Sequence, residues 1–224
     1  MDSITILIHK TTFYLCISLL PLIIYGQKTI LTENVESFPT YTFSDPNPLP
    51  AFLYNPKIYP YHKFQGYAIE KSKQPLKQIT LENPWIKVQV FPEVGGKVWG
   101  ATDKSNENEF IYRNKVAKFR NIAMRGPWTS GGIEFNFGVI GHHPGTGTPV
   151  DYKTEELPNG DLMCTVGGID LPSRTQWRVK IILPKDQSAF TTQAIWYNPT
   201  DIEQAYYNWM TAAAAAREDL IFYT

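Results

Sequence analysis

The chain has 224 residues with 21 basic and 21 acidic side chains, and 43% of it is hydrophobic and 14% aromatic. That is enough apolar material for one large domain or two small ones with a real core. The balanced charge excludes an electrostatic case for nucleic acid or an anionic membrane surface as partner. Seventeen prolines and 15 glycines, set against few helical runs, favour β structure with many turns.

Residues 1–26 read as a signal peptide rather than as fold. Lys10 precedes the apolar run Phe13 to Ile24, and Gly26-Gln27 offers a small residue at a plausible cleavage point. The run is short for a bilayer and has a secretory layout, so the mature protein is expected to be exported, periplasmic or extracellular, and free of the membrane. A retained anchor is the alternative. Cys16 lacks the surroundings of a lipoprotein cysteine, and removing the leader leaves Cys164 alone, so no intramolecular disulfide is expected.

Residues 27–80 form a segment rich in proline and tyrosine. Pro39, Pro46, Pro48, Pro50, Pro56 and Pro60 forbid helix and favour extended chain. Phe38, Tyr41, Phe43, Phe52, Leu53, Tyr54, Ile58, Tyr59 and Tyr61 are too apolar for a linker, so this segment is expected to lie against the main sheet. Gln65 to Lys77 reads as a polar connection with a short edge strand around Tyr67 to Ile69.

From Leu81 the pattern alternates. Ile86, Val88 and Val90 point one way and Trp85, Lys87 and Gln89 the other, as in a half-exposed strand. Strands follow at Lys97 to Ala101 and at Glu109 to Tyr112. Pro158-Asn159-Gly160 separates two extended runs as a hairpin signal. Alternation resumes through Trp177, Val179, Ile181 and Leu183, and again from Phe190 to Tyr197. The order predicts an all-β antiparallel meander over residues 81–224. Tyr206 to Met210 reads as strand, Ala212 to Ala216 as helix by propensity. The apolar run Leu220 to Tyr223 needs burial, and the domain is expected to be incomplete at its C-terminus.

One stretch concentrates the chemistry. Met124 to Pro149 holds seven glycines, an acid and an amide between aromatics, a tryptophan after proline, and the pair His142-His143. Glycines let backbone approach a ligand, and aromatics give flat apolar surface, a mixture suited to a neutral polyhydroxylated ligand. A glycine-kinked hairpin with buried aromatics is the equally open structural reading. On an extended strand Glu134 and Asn136 share one face, while Ile133, Phe135 and Phe137 share the other. Glu134 could grip hydroxyls or act as a general base, or be a rim acid in an ion pair. His142 and His143 would face opposite ways, leaving one as a proton donor. Trp128 could stack on a sugar ring or belong to the core. Arg113 and Arg174 offer forked donors for hydroxyls or an acidic sugar, against a structural ion pair for each. Trp177 and Trp209 read as core, and Lys97 as solvated. A metal site from Glu134 and both histidines would need a turn at Pro144-Gly145, so no metal is expected. The chain lacks Gly-x-Ser-x-Gly, Cys-x-x-Cys, His-Glu-x-x-His and a Walker loop, and no cofactor is implied.

Glu82-Asn83-Pro84, Pro92 to Val98, Tyr112-Arg113, Ser130 to Phe137, His142, Pro149 to Tyr152 and Trp209 together resemble an uncharacterised family of exported bacterial proteins. Many members carry tetratricopeptide repeats after the β domain. The resemblance runs from about Tyr54 to the C-terminus. It implies a galactose-mutarotase-like supersandwich whose concave face takes carbohydrate, with a complete domain longer than the mature chain here. Together with the residue readings above, it makes a carbohydrate the expected ligand, with Glu134, His142 and His143 as catalytic candidates and Trp128, Asn136, Arg113 and Arg174 as binding candidates. Glycoside cleavage, with Asp151 as a second carboxylate, and sugar epimerisation are the two reactions it suggests. The alternative is a non-catalytic β-sandwich module that binds a protein or glycan partner.

Overall fold

The computed structural model describes residues 28–46, 62–123, 125–138 and 140–222. The signal peptide reading and the aromatic residues between Phe52 and Tyr61 fall outside the described residues. Within them the chain is an all-β sandwich of antiparallel-rich sheets, and no α-helix is present among the described residues.

The larger sheet begins with a long pair, β1 (Ile30–Tyr41) and β2 (Ser72–Glu82), in register from Ile30 opposite Glu82 to Thr40 opposite Ser72. β3 (Ile86–Phe91) pairs with only the last part of β2, from Ile79 to Glu82. Pro75 therefore sits where β2 has β1 as its only neighbour in the sheet, which suits a residue that cannot donate to a ladder. β4 (Lys97–Asp103) follows a turn in which Gly95 and Gly96 take φ of 68° and 67°. The short strands β5 (Asn108–Ile111), β6 (Ala117–Lys118), β7 (Arg120–Asn121) and β8 (Pro127–Trp128) lead to β9 (Ile133–Phe137). A 3-10 helix spans Pro144–Gly147. β10 (Asp151–Glu156), β11 (Leu162–Asp170), β12 (Thr175–Leu183) and β13 (Thr191–Tyr197) then make the smaller sheet, and β14 (Asn208–Ala212) returns to the larger one.

The smaller sheet is the expected meander, with its first hairpin at Pro158-Asn159-Gly160 and Gly160 at φ 86°. The larger one is not. Its order is β14-β9-β4-β3-β2-β1-β6, with β1 and β6 parallel. Residues 27–80, expected to lie against the main sheet, supply β1 and most of β2 of the larger sheet. The anticipated edge strand at Tyr67 to Ile69 is a single bridge between Phe43 and Tyr67. Ala212 to Ala216 is not helical. Ala212 pairs with Ile133, and the Ala213 N–H and carbonyl bond Gly132 and Tyr112. Sheet pairing overrides alanine propensity there.

The core lies between the sheets. Ile79, Leu81, Val88, Val90, Val98, Phe135 and Phe137 meet Cys164, Val166, Trp177, Val179, Ile181 and Leu183. Phe137 stacks on Trp177 with centroids 5.0 Å apart. Asn83 seams the layers: its Oδ1 accepts from the Trp85 and Ile86 amides, and its Nδ2 donates to the Pro184 and Gln187 carbonyls at 2.7 Å. The opposite face of the larger sheet has its own aromatic cluster, in which Phe91 stacks on Trp99 and Phe38 meets both edge-on. Gln89, expected to be exposed, is buried on that face under Arg113. The candidate site is on this second face.

Candidate functional site

β9 places its side chains by strict alternation. Phe135 and Phe137 enter the core, so Glu134 and Asn136 must lie on the other face of the sheet. Both are buried nonetheless, Glu134 with 4% of its surface exposed and Asn136 with none. A buried carboxylate requires donors, and Glu134 has three. Its Oε1 accepts from Asn136 Nδ2 and bonds His142 Nδ1, each at 2.7 Å, and its Oε2 accepts from Trp128 Nε1 at 2.5 Å.

Burial raises the Glu134 carboxyl, but the Trp128, Asn136 and His142 hydrogen bonds and the Lys97 charge outweigh it and hold the group below its ordinary value. An ionised carboxylate only accepts, so the proton between it and His142 belongs to Nδ1. In the neutral tautomer Nε2 is then bare, and nothing among the described residues hydrogen-bonds it. The ring stands between two tryptophans, Trp209 at 4.5 Å and Trp128 at 5.9 Å between centroids, and its side chain is 20% exposed. His142 has φ of 48°, a conformation disfavoured for a non-glycine residue and found often at functional sites. Gly141 lets the loop pass this close, since a Cβ there would stand 2.3 Å from the Trp209 ring.

His143 goes the other way. It is buried, its backbone N–H donates to Asn136 Oδ1 at 3.0 Å, and its Nδ1 accepts from the Gly145 N–H at 3.1 Å, capping the 3-10 helix. Burial lowers its pKa, with Asp170 opposing, so the ring is neutral and carries its proton on Nε2. That atom has no well-formed partner among the described residues. His143 caps the 3-10 helix, and Asn136, fully buried with both ends of its amide engaged, clamps β9 to the loop.

The two arginines are elsewhere. Arg113 bonds Glu109 Oε1 at 2.7 Å and Gln89 Oε1 at 2.5 Å, lying over Gly100. Arg174 is exposed on the β11–β12 turn at φ 59°, its N–H donating to the Asp170 carbonyl. Neither bonds a member of the Glu134 group. Asp151, on β10 of the smaller sheet, lines concavities of about 520 and 420 Å³ whose walls include neither Glu134 nor His142. The described residues hold no group of three metal-ligating side chains.

Two residues join the site that the sequence pattern assigned elsewhere. Trp209 reads as core, but β14 pairs with β9 so that Trp209 lies opposite Asn136, on the polar face. Lys97 reads as solvated, yet it is 2% exposed, with Nζ donating to the Thr129 carbonyl at 2.5 Å and to Thr129 Oγ1 at 3.2 Å. Alternation within one strand cannot report either placement, because each depends on a neighbour far along the chain.

Fold and site together define an antiparallel β-sandwich protein with a polar, tryptophan-walled patch on the outer face of its larger sheet. The chain belongs to a family described as a domain of unknown function, DUF5107, whose model matches residues 54–224. Among solved structures it is similar to a TPR-domain containing protein from Parabacteroides distasonis ATCC 8503, with a TM-score of 0.77 and 27% sequence identity. The match covers 87% of this chain and 33% of that one, so the chain spans about a third of that protein's length.

Proposed function

We propose that the chain is an exported carbohydrate-binding protein of galactose-mutarotase-like fold, and that Trp128, His142 and Trp209 form its sugar site. The observation that carries this reading is the His142 ring, held by Glu134 through Nδ1 between two tryptophans with Nε2 unengaged. Indole faces suit the apolar side of a pyranose, and a bare imidazole nitrogen suits a hydroxyl. Glu134 already accepts from three protein donors and serves as the orienting partner of His142. The export part rests on the leader-like run Phe13 to Ile24.

If the protein turns over sugar, this geometry favours epimerisation over cleavage by paired carboxylates, since Asp151 lies on the other sheet. His142 Nε2 would take the anomeric hydroxyl proton as the C1–O bond to the ring opens and water protonates the ring oxygen. Closure on the other face reverses these steps. A non-catalytic interaction module is the competing reading. It is favoured by the edge strands β13 and β14, which expose Ile195, Tyr197 and Met210.

A glycan array followed by calorimetry on the full chain tests the proposal. Binding of a mono- or oligosaccharide that is lost in Trp209→Ala and weakened in His142→Gln is the expected result. A folded protein that binds no glycan contradicts it. Turnover lost in His142→Gln with binding largely kept would identify an enzyme.

A further inference from the structure

The glycine pair before β9 abuts a side chain whose presence the site does not yet explain. Lys97 opens β4 and is almost wholly buried, and it forms no ion pair among the described residues. Taking an ammonium out of water without a contacting carboxylate is costly, so a buried lysine beside the polar Glu134 patch points to function. Its Nζ meets Thr129 through both the carbonyl and the hydroxyl and lies 5.8 Å from the centroid of the Trp128 ring. Room for its stem comes from Gly132, at φ 69°, where a Cβ would stand 3.2 Å from Lys97 Cδ and 2.2 Å from the Val98 carbonyl oxygen. Trp128 and Thr129 thus meet the amine, Gly132 makes room for the stem, and Glu134 acts on the ammonium through its charge.

We propose that Lys97 is a positioning residue of the His142 site. Its buried ammonium fixes the Trp128-Thr129 segment and adds a positive charge to the hydrogen bonds from Trp128, Asn136 and His142 that hold Glu134 ionised. It touches no ligand itself. The proposal rests on the reading of this patch as a ligand site for its biological meaning, but its physical content can be tested without any ligand. From β9 the charged group facing Lys97 is Glu134, with His142 beyond it. The Trp128 to Ser130 segment and the Gly131-Gly132 pair bring no titratable side chain. Burial lowers the ammonium to about 8, with Glu134 opposing, so the charge can be removed under mild conditions.

The experiment is a pH titration of the full chain, followed by the indole N–H signals in ¹H–¹⁵N NMR without ligand, with Trp128 assigned by Trp128→Phe. The Trp128 signal is expected to move with a midpoint at about pH 8 in the wild type. In Lys97→Arg, whose guanidinium keeps its proton, the signal should stay at its low-pH position. In Lys97→Met it should show no step there. A Trp128 signal that ignores this pH range in the wild type, or one with the same midpoint in Lys97→Arg, would overturn the proposal. Should Lys97→Met not fold, the wild type and Lys97→Arg decide. Sugar affinity is measured separately: an intact step with no glycan bound counts against the carbohydrate reading and leaves the role of Lys97 standing.

Discussion

The two faces of β9 are buried to nearly the same extent by opposite means. On one, Phe135 and Phe137 are sealed by apolar packing, Phe137 flat against Trp177. On the other, Glu134 and Asn136 are sealed by hydrogen bonds from Trp128, His142 and each other. Packing tolerates imprecise geometry and returns its energy from water, whereas a buried carboxylate is stable only if each donor is in place. The polar face thus sacrifices stability for the fixed orientation of one imidazole. Natural cores seldom accept that cost without a functional return.

The largest effect should come from the packed face. Phe137→Ala is expected to lower unfolding free energy by about 3–5 kcal/mol in urea denaturation, through lost burial and a cavity beside Trp177. A loss no larger than that of the polar-face variants below would break the contrast.

Next in size is a pH effect of Lys97. Its folded-state value of about 8 lies below the ordinary 10.5, so between those pH values the unfolded chain binds more protons. Stability then rises with pH across that window, by at most about 3 kcal/mol. The difference between wild type and Lys97→Met in denaturation at the two ends of the window isolates this contribution, and a flat difference would contradict it.

Asn136→Leu keeps the volume but leaves Glu134 one donor short and strips the His143 N–H of its acceptor. A loss of about 1–3 kcal/mol is expected, together with a changed Trp128 indole signal in NMR. The smallest effect concerns acid. Because Glu134 is held below its ordinary carboxyl value, its contribution is present above that value and fades as pH falls through the folded one. Glu134→Gln should therefore flatten the acid limb of the stability profile relative to wild type, as followed by thermal melts.

Much of the fold was legible where the signal is local. Alternation located β3 and β12, the Pro158-Asn159-Gly160 turn located a hairpin, and the Ile-Glu-Phe-Asn-Phe pattern put Glu134 and Asn136 on one face. The adjacent histidines diverge in a loop where His142 has φ of 48°, not on the strand that alternation assumes. What escaped the sequence depends on partners distant in the chain. Trp209 sits in an alternating strand and would be core if β14 paired differently, and its role follows only from lying opposite Asn136. Lys97 could not be known to be buried without the Trp128-Thr129 segment above it. Ala212 to Ala216 favours helix locally, but Ala212 pairs in β14 and Gly132 and Tyr112 bond Ala213. Arg113 and Arg174 carry the right donors for a sugar, but Arg113 is committed to Glu109 and Gln89, and Arg174 lies on a turn of the other sheet.

The central claim is that Glu134 serves His142 and so leaves its Nε2 to a ligand. Long-range ¹H–¹⁵N NMR of the histidine rings tests it most directly, because the two neighbours should carry their protons on opposite nitrogens. Neutral His142 is expected to be protonated at Nδ1, where it meets Glu134, and His143 at Nε2, because its Nδ1 accepts from Gly145. His142 protonated at Nε2 would mean that the carboxylate does not hold the ring as described, and the site would lose its proton acceptor.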